Sequence, residues 1–205
     1  MSLRSVKVLL AGVLMLSAVG SVQAGAITWA TNPAPNDYGW DGETVGTQFK
    51  TTNSVTVCAL GIWDHLEDGL ANSYNVSLWD LNENLLATAN VAAGTAARLE
   101  DGSRWTDIAG VTLAANTTYV IAAYRPNFND LFPWIFANEV TLSTGIAEND
   151  RYEGGVTFPH YDEYRDAVIG ANFQYTPEPS SIVLLCLGGA GAGVMQVRRR
   201  RAVNS

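Results

Sequence analysis

The sequence predicts an all-β protein with one antiparallel β-sandwich, jelly-roll-like or immunoglobulin-like, flanked by an apolar segment at each chain end. Three observations predict this fold class. Apolar and polar residues alternate with a period of two in several short runs. Turn residues interrupt these runs about every ten positions, as in sandwich domains. No sustained helical period occurs outside the two end segments.

The predicted strands follow one another through residues 25–176, a length sufficient for one domain with its own core. Apolar residues occupy both faces of residues 119–124, which predicts a strand buried on both sides. Residues 62–70 are bounded by glycines and are polar, so we expect a loop there rather than a helix. The strand-like runs are Val55–Trp63, Leu85–Val91, and residues 74–79, 119–124 and 169–175.

The N-terminal segment, residues 1–24, is typical of a secretory signal peptide. Arg4 and Lys7 precede an apolar stretch at residues 8–19, and small residues lead up to Ala24. We therefore predict cleavage between Ala24 and Gly25. The apolar stretch is too short for a permanent anchor, since a membrane span takes about 20 residues.

The C-terminal segment has three parts in order. Pro177, Glu178 and Pro179 come first, an apolar run at residues 182–197 follows, and Arg198, Arg199, Arg200 and Arg201 come last. The apolar run is long enough for a short transmembrane helix. By the positive-inside rule the arginines stay in the cytoplasm, which leaves residues 25–181 outside.

These three parts together resemble the PEP-CTERM sorting signal of Gram-negative bacteria, over residues 177–205. The resemblance implies that Pro177, Glu178 and Pro179 are the recognition motif of an exosortase, a membrane-embedded cysteine protease. It implies that residues 182–197 are the membrane segment and that the four arginines are the stop. Removal of the tail would then release or transfer the protein to the cell surface or to the exopolysaccharide matrix.

Other interpretations of the tail explain less of it. A GPI signal ends in apolar residues and has no basic terminus. A sortase signal has the same apolar and basic order, but its Leu-Pro-x-Thr-Gly motif is absent. A plain stop-transfer anchor accounts for the apolar run and the arginines. It does not account for the Pro-Glu-Pro motif before them.

The segment between the two ends, residues 25–176, is similar to a family of poorly characterised bacterial extracellular β-sandwich domains. The similarity spans residues 40–125 and rests mostly on core and turn residues, so it implies a fold and names no ligand. The motifs that carry it are Val45-Gly46-Thr47-Gln48-Phe49, Leu60-Gly61-Ile62-Trp63, Val76-Ser77-Leu78-Trp79-Asp80, Leu85-Leu86-Ala87 and Leu113-Ala114-Ala115-Asn116-Thr117-Thr118-Tyr119-Val120.

Charge and motif content restrict the function of this segment. Residues 25–176 hold six Lys and Arg against nineteen Asp and Glu, a formal charge of −13 that repels nucleic acid. The sequence has no G-x-S-x-G elbow and no zinc-ligand spacing, so we predict no enzyme and no cofactor. Cys58 and Cys186 lie in such different surroundings that we expect no disulfide between them. Glycoside hydrolysis needs only two carboxylates, and it stays an alternative.

One loop begins like a calcium site. Asp80-Leu81-Asn82-Glu83-Asn84 places oxygen ligands at alternate positions, as a hard cation requires. Leu85 stands where the motif needs Gly and Val91 where it needs Glu, so we favour a hairpin turn. The acidity of the chain leaves weak calcium binding open, here or at Asp64, Glu67 and Asp68.

The tryptophans give one indication of a ligand. Trp40 and Trp134 lie in turn-rich stretches, where we expect exposed indoles that could stack on a sugar face. Trp63, Trp79 and Trp105 lie in strand patterns, and we expect them in the core.

We therefore predict an exported, non-enzymatic protein of the cell surface or exopolysaccharide matrix. Signal peptidase and an exosortase are its processing partners, and the membrane holds its C-terminal helix before processing. A carbohydrate-binding module for matrix polysaccharide is the first alternative, and a secreted glycoside-active enzyme is the second.

Overall fold

The computed structural model describes residues 26–34, 36–37, 40–136, 141–162 and 166–177. The predicted cleavage site at Ala24 and Gly25 lies outside these residues. So do Glu178, Pro179, the apolar run at 182–197, and Arg198, Arg199, Arg200 and Arg201. In the part of the chain that is described, no helix is long and apolar enough to cross a membrane.

The prediction of an all-β protein with antiparallel sheets is confirmed. One 3₁₀ turn, His65–Glu67, is the only helical element in the described ranges. The strands are β1 (Ile27–Thr28), β2 (Ala30–Thr31), β3 (Glu43–Lys50), β4 (Val55–Trp63), β5 (Tyr74–Asp80), β6 (Leu85–Val91), β7 (Arg98–Glu100), β8 (Ser103–Leu113), β9 (Thr118–Arg125), β10 (Trp134–Phe136), β11 (Thr141–Leu142), β12 (Ile146–Gly154), β13 (Asp166–Val168) and β14 (Ala171–Pro177).

Two five-stranded antiparallel sheets form the body of the molecule. The front sheet has the order β1-β14-β4-β8-β7, and the back sheet has the order β12-β3-β9-β5-β6. Two short ribbons, β10-β13 and β11-β2, lie beside them. Buried apolar side chains from both sheets form one continuous core. This arrangement is consistent with a sandwich, in which the inward face of each sheet is buried against the other.

An aromatic cluster joins the two sheets. Trp29 stacks on Phe173 of the front sheet with 5.1 Å between ring centroids. Phe49 of the back sheet lies 5.0 Å from each of these rings. All three side chains are fully buried, and burial of side chains this large contributes roughly 2–3 kcal/mol each.

Several predicted strands have the expected bounds. β4 and β6 begin and end where the sequence pattern places them. Residues 119–123 of β9 are buried on both faces, as expected for the run at 119–124. The last strand is displaced by two residues from the predicted 169–175 and includes Pro177, whose backbone pairs with Val55.

The expectation that Trp63, Trp79 and Trp105 fill the core is confirmed for the burial of Trp105, which is 3% exposed, and is wrong for Trp63 and Trp79, which are half-buried. Along β5 the side chains of Val76 and Leu78 belong to the core, so the alternation of a strand puts Trp79 on the outer face. The same alternation puts Trp63 and Trp105 on the outer face of the front sheet, and Trp105 is buried there. Trp105 packs across the strand against Gly61, where an added Cβ would lie 2.4 Å from the indole ring.

Candidate functional site

Both ends of the described chain leave the sandwich on the same side, which we call the tail end. Ile27 of β1 pairs with Tyr175 of β14, so the first and last strands are hydrogen-bonded neighbours. Pro177 is exposed and ends β14 opposite Val55. The turns at residues 51–54, 81–84 and 114–117 lie at this same end, because each joins strands whose adjoining termini point there.

The other end of the sandwich, which we call the aromatic end, is organised by Arg125 at the end of β9. This side chain is fully buried, and its Nη2 donates to both carboxylate oxygens of Asp37 at 2.8 Å. Nη2 also donates to the carbonyl of Asp130 at 3.1 Å, and Nη1 donates to the carbonyl of Trp40 at 3.3 Å. One guanidinium therefore ties Asp37 and Trp40 to the loop that follows β9.

The carboxylate of Asp130 fixes that loop to the start of β5. It accepts hydrogen bonds from the backbone amides of Ala71 and Asn72 at 2.9 and 3.1 Å. It also accepts one from the Tyr74 hydroxyl at 2.6 Å. Burial, together with this hydrogen bond to an anion, raises the pKa of Tyr74 well above its usual range. The tyrosine is therefore a neutral donor, and the loop is held from both sides.

Three large aromatic side chains are exposed at this end of the sandwich, two on the fastened loops and one at the start of β10. Trp40 is 68% exposed, Phe128 53% and Trp134 39%. The expectation that Trp40 and Trp134 are exposed is thus confirmed; sugar stacking by either stays a prediction. The sequence reasoning did not identify Phe128, whose ring lies 4.8 Å from the Arg125 guanidinium carbon. Its position after a strand and next to Asn127 was the available signal.

A second concave surface, which the sequence reasoning missed, lies on the outer face of the back sheet. Residues 155–161, which we call the strap, cross this face between β12 and the β10-β13 ribbon. Phe158 of the strap meets Trp79 edge to face, with 5.8 Å between centroids and 89° between planes. Between strap and sheet is a groove of about 240 Å³. Its lining residues are Thr44, Asn75, Ser77, Trp79, Leu85, Tyr124, Val156, Thr157 and Phe158.

The loop at Asp80 is the predicted hairpin turn between β5 and β6. Its carboxylate accepts from the backbone amides of Asn82 and Asn84 and from the Asn84 side chain, at 2.8–3.0 Å. These hydrogen bonds, led by the one from the Asn84 side chain, lower the pKa of Asp80. The Asp80 carboxylate thus stabilises the turn that it begins. Leu85, which stands where a calcium loop needs Gly, is the first residue of β6.

Asp64, the other acidic position considered for calcium, is also engaged. It is buried, with Oδ2 2.7 Å from Arg104 Nε, and both its oxygens accept from the Gly69 amide. Glu67 and Asp68 are exposed on the following turn. Across the described ranges, no three His, Cys, Asp or Glu side chains are grouped closely enough to hold a metal ion.

Cys58 lies in β4 at a point where the pairing shifts register on both sides, so it is a bulge residue. It is a free thiol, partly buried, with Sγ 3.5 Å from the carbonyl of Gln174. Burial, assisted by the nearby charge of Asp107, raises its pKa. This environment is that of a structural cysteine and not of a nucleophile.

Comparison with known proteins bears on the sandwich alone. A family model described as a domain of unknown function, DUF4082, matches residues 30–167. The matched segment includes residues 40–125 and both the aromatic end and the strap. No curated protein matches the chain.

Proposed function

We propose that this chain, which belongs to the DUF4082 family, is an exported, non-enzymatic display protein. Its signal peptide is removed after Ala24, and a single transmembrane helix at residues 182–197 holds it during transit. An exosortase then cuts near Pro177, Glu178 and Pro179, and the sandwich passes to the cell surface or the exopolysaccharide matrix. A jelly-roll-like or immunoglobulin-like topology is the finer fold assignment within this proposal.

The observation that carries the proposal is the common exit of both chain ends. Because β1 and β14 are antiparallel neighbours, Ile27 and Pro177, the strand ends nearest in sequence to the predicted cleavage site and the Pro-Glu-Pro motif, lie at the same end of the sandwich. Four residues, 178–181, separate β14 from the predicted membrane segment, and they span at most about 14 Å. The tail end therefore faces the membrane, and the aromatic end points away from it.

The backbone at the junction suits a protease. Pro177 continues β14 in an extended conformation, and proline restricts its own φ and keeps the preceding residue extended. Pairing with Val55 holds Pro177 in the sheet as the last residue of β14. We expect the cut to fall on the C-terminal side of Pro177, where it leaves the sandwich complete.

Substitution of Glu178 by Ala tests this processing, in a host that carries an exosortase. We expect the variant to accumulate in the membrane fraction at the mass of the chain with its tail. Ser181→Ala is the matched control in the same short linker, and we expect it to be processed like the natural chain. If Glu178→Ala is released from the membrane as efficiently as the control, the proposed recognition motif is wrong.

Polysaccharide binding at the aromatic end is a second candidate function, favoured by the exposure of Trp40 and Phe128. Flat rings on fastened loops can stack on sugar faces at low entropic cost. Trp40→Ala should lower retention of the protein by matrix polysaccharide. Leu66→Ala removes another exposed apolar side chain at the same end and serves as control. Equal retention of both variants and the natural chain would exclude this surface.

A further inference from the structure

The groove beneath the strap is open to solvent and lies on the outer face of the back sheet. Four neighbouring strands contribute to its floor, with Thr44 from β3, Tyr124 from β9, Trp79 from β5 and Leu85 from β6. The strap supplies the opposing wall. The groove is thus built from residues between positions 44 and 158, and it lies along the outer face of the back sheet; neither Trp40 nor Pro177 is among its lining residues.

Hydrogen bonds hold the strap in place along its length. Thr44 Oγ1 donates to the carbonyl of Gly155 at 2.7 Å and accepts from the amide of Thr157 at 3.3 Å. At the other end of the strap, the backbones of Tyr152 and Tyr161 exchange two hydrogen bonds of 3.0 and 3.1 Å. Because both ends are fixed, a ligand does not have to order the wall when it binds.

The lining combines aromatic faces with uncharged polar groups. Trp79 and Phe158 stand perpendicular to each other, and Tyr124 adds a third ring. Asn75 is exposed beside them; its Oδ1 accepts from Asn90, and among the described residues its own Nδ2 has no protein acceptor. Ser77 shares a hydrogen bond with Thr88 at 2.9 Å. Among the described residues that line the groove, none is Asp, Glu, Lys or Arg.

We propose that this groove binds one ring of a neutral polysaccharide chain. Sugar rings have apolar C–H faces that pack on aromatic rings and hydroxyl groups that pair with amides and hydroxyls, and the lining offers both. Its volume is below the roughly 300–1,000 Å³ of sites for drug-sized ligands, which suits a single ring. An open groove, rather than a closed cavity, lets the neighbouring units of the chain continue on both sides.

The charge of the protein selects among glycans. Residues 25–176 carry a formal charge of −13, and no Lys or Arg is among the described residues that line the groove to compensate a carboxylate or phosphate. Uronate-rich polysaccharides and nucleotides are therefore disfavoured. The exposed polar groups in the lining also disfavour a purely apolar ligand, because its binding would bury them without partners. This inference does not depend on how the tail is processed.

Affinity electrophoresis of the full-length chain tests the proposal. The chain is kept in a detergent without a sugar headgroup, in native gels that contain dextran, galactomannan or xylan, or the polyuronate alginate. We expect retardation by at least one neutral polysaccharide and none by alginate. Trp79→Ala should weaken the retarding interaction about tenfold, because it removes the stacking face. Asn75→Ala should weaken it severalfold, and since Asn75 is exposed this variant keeps its fold.

Two variants at the aromatic end complete the design. Leu66→Ala changes an exposed side chain outside the groove and should leave the retardation unchanged, whereas Trp40→Ala distinguishes this groove from the aromatic end as the binding surface. The proposal is overturned if no neutral polysaccharide retards the natural chain, or if alginate does so equally well. It is also overturned if Trp40→Ala abolishes retardation while Trp79→Ala and Asn75→Ala keep it.

Discussion

The buried ion pair between Asp64 and Arg104 gives the sharpest prediction about stability. Both side chains are almost completely buried, and Nε lies 2.7 Å from Oδ2. The other guanidinium nitrogens donate to the carbonyls of Glu67, Thr95 and Ala97 at 3.2 Å each. Asp64→Ala removes the only carboxylate among these contacts. The substitution leaves the buried Arg104 cation with neutral acceptors only. It also removes the acceptor of the Gly69 amide hydrogen bond.

Removal of one partner from a buried pair costs about 3–5 kcal/mol of unfolding free energy. With a urea dependence of about 2 kcal/mol per molar for a domain of this size, the unfolding midpoint should fall by about 2 M. Tryptophan fluorescence during urea unfolding measures this midpoint. Asp68→Ala, an exposed acid four positions along, should change the midpoint by less than about 0.3 M.

A double substitution separates pairing from burial. Asp64→Leu with Arg104→Met replaces both charges by apolar groups and should recover most of the lost stability. The loss in Asp64→Ala should also be the same with calcium and with a chelator. A midpoint unchanged by Asp64→Ala would refute the structural role of the pair. A loss seen only with calcium would instead identify Asp64 as a cation ligand.

Three further predictions concern single positions. Gly61→Ala should lower stability by about 1–3 kcal/mol in thermal unfolding, because the new Cβ would overlap the Trp105 ring. Asn172→Ala should cost about 2–4 kcal/mol, because the Asn172 side chain bonds both the amide and the carbonyl of Ala30, at 3.2 and 2.7 Å. Cys58 should alkylate more slowly than a free thiol at neutral pH and faster as pH rises, since its raised pKa keeps it protonated; peptide mass spectrometry quantifies the label.

Each of these has a result that would contradict it. Natural stability of Gly61→Ala would mean that the indole and the Arg104 carbonyl oxygen, 2.7 Å from the new Cβ, can both move away without cost. An unchanged unfolding free energy of Asn172→Ala would mean that water replaces the side chain at the buried backbone of Ala30. Rapid labelling of Cys58 in the folded protein at neutral pH would contradict its partial burial and its raised pKa.

The local sequence pattern was enough to predict the strands whose residues are continuously apolar or alternate between apolar and polar. β4 and β6 are apolar or alternating runs between turn residues, and these features determine where a strand begins and ends. The pairing of β1 with β14 was beyond prediction, because Ile27 and Tyr175 are far apart in sequence and β1 has only two residues. β1 pairs with β14 only once the rest of the front sheet is formed. The side chain of Asn172 then binds the backbone of Ala30, just after β1 ends.

The surfaces were harder to predict than the strands. Turn-rich flanking sequence correctly indicated that Trp40 and Trp134 are exposed. The alternation around Trp79 showed that it faces away from Leu78, but alternation alone does not say which face is the core. The groove depends on Phe158, which comes from the strap and meets Trp79 across a long stretch of chain. Such a contact is a property of the folded sheet and has no local signature.

The central claim is that the sandwich is exported, processed and displayed. Intact mass spectrometry of the protein from its native host, with membrane and extracellular fractions measured separately, tests it most directly. We expect an extracellular species that lacks residues 1–24 and ends shortly after Pro177. A species that keeps Arg198, Arg199, Arg200 and Arg201 and stays in the membrane, in a host with an exosortase, would contradict the claim and identify a permanently anchored protein.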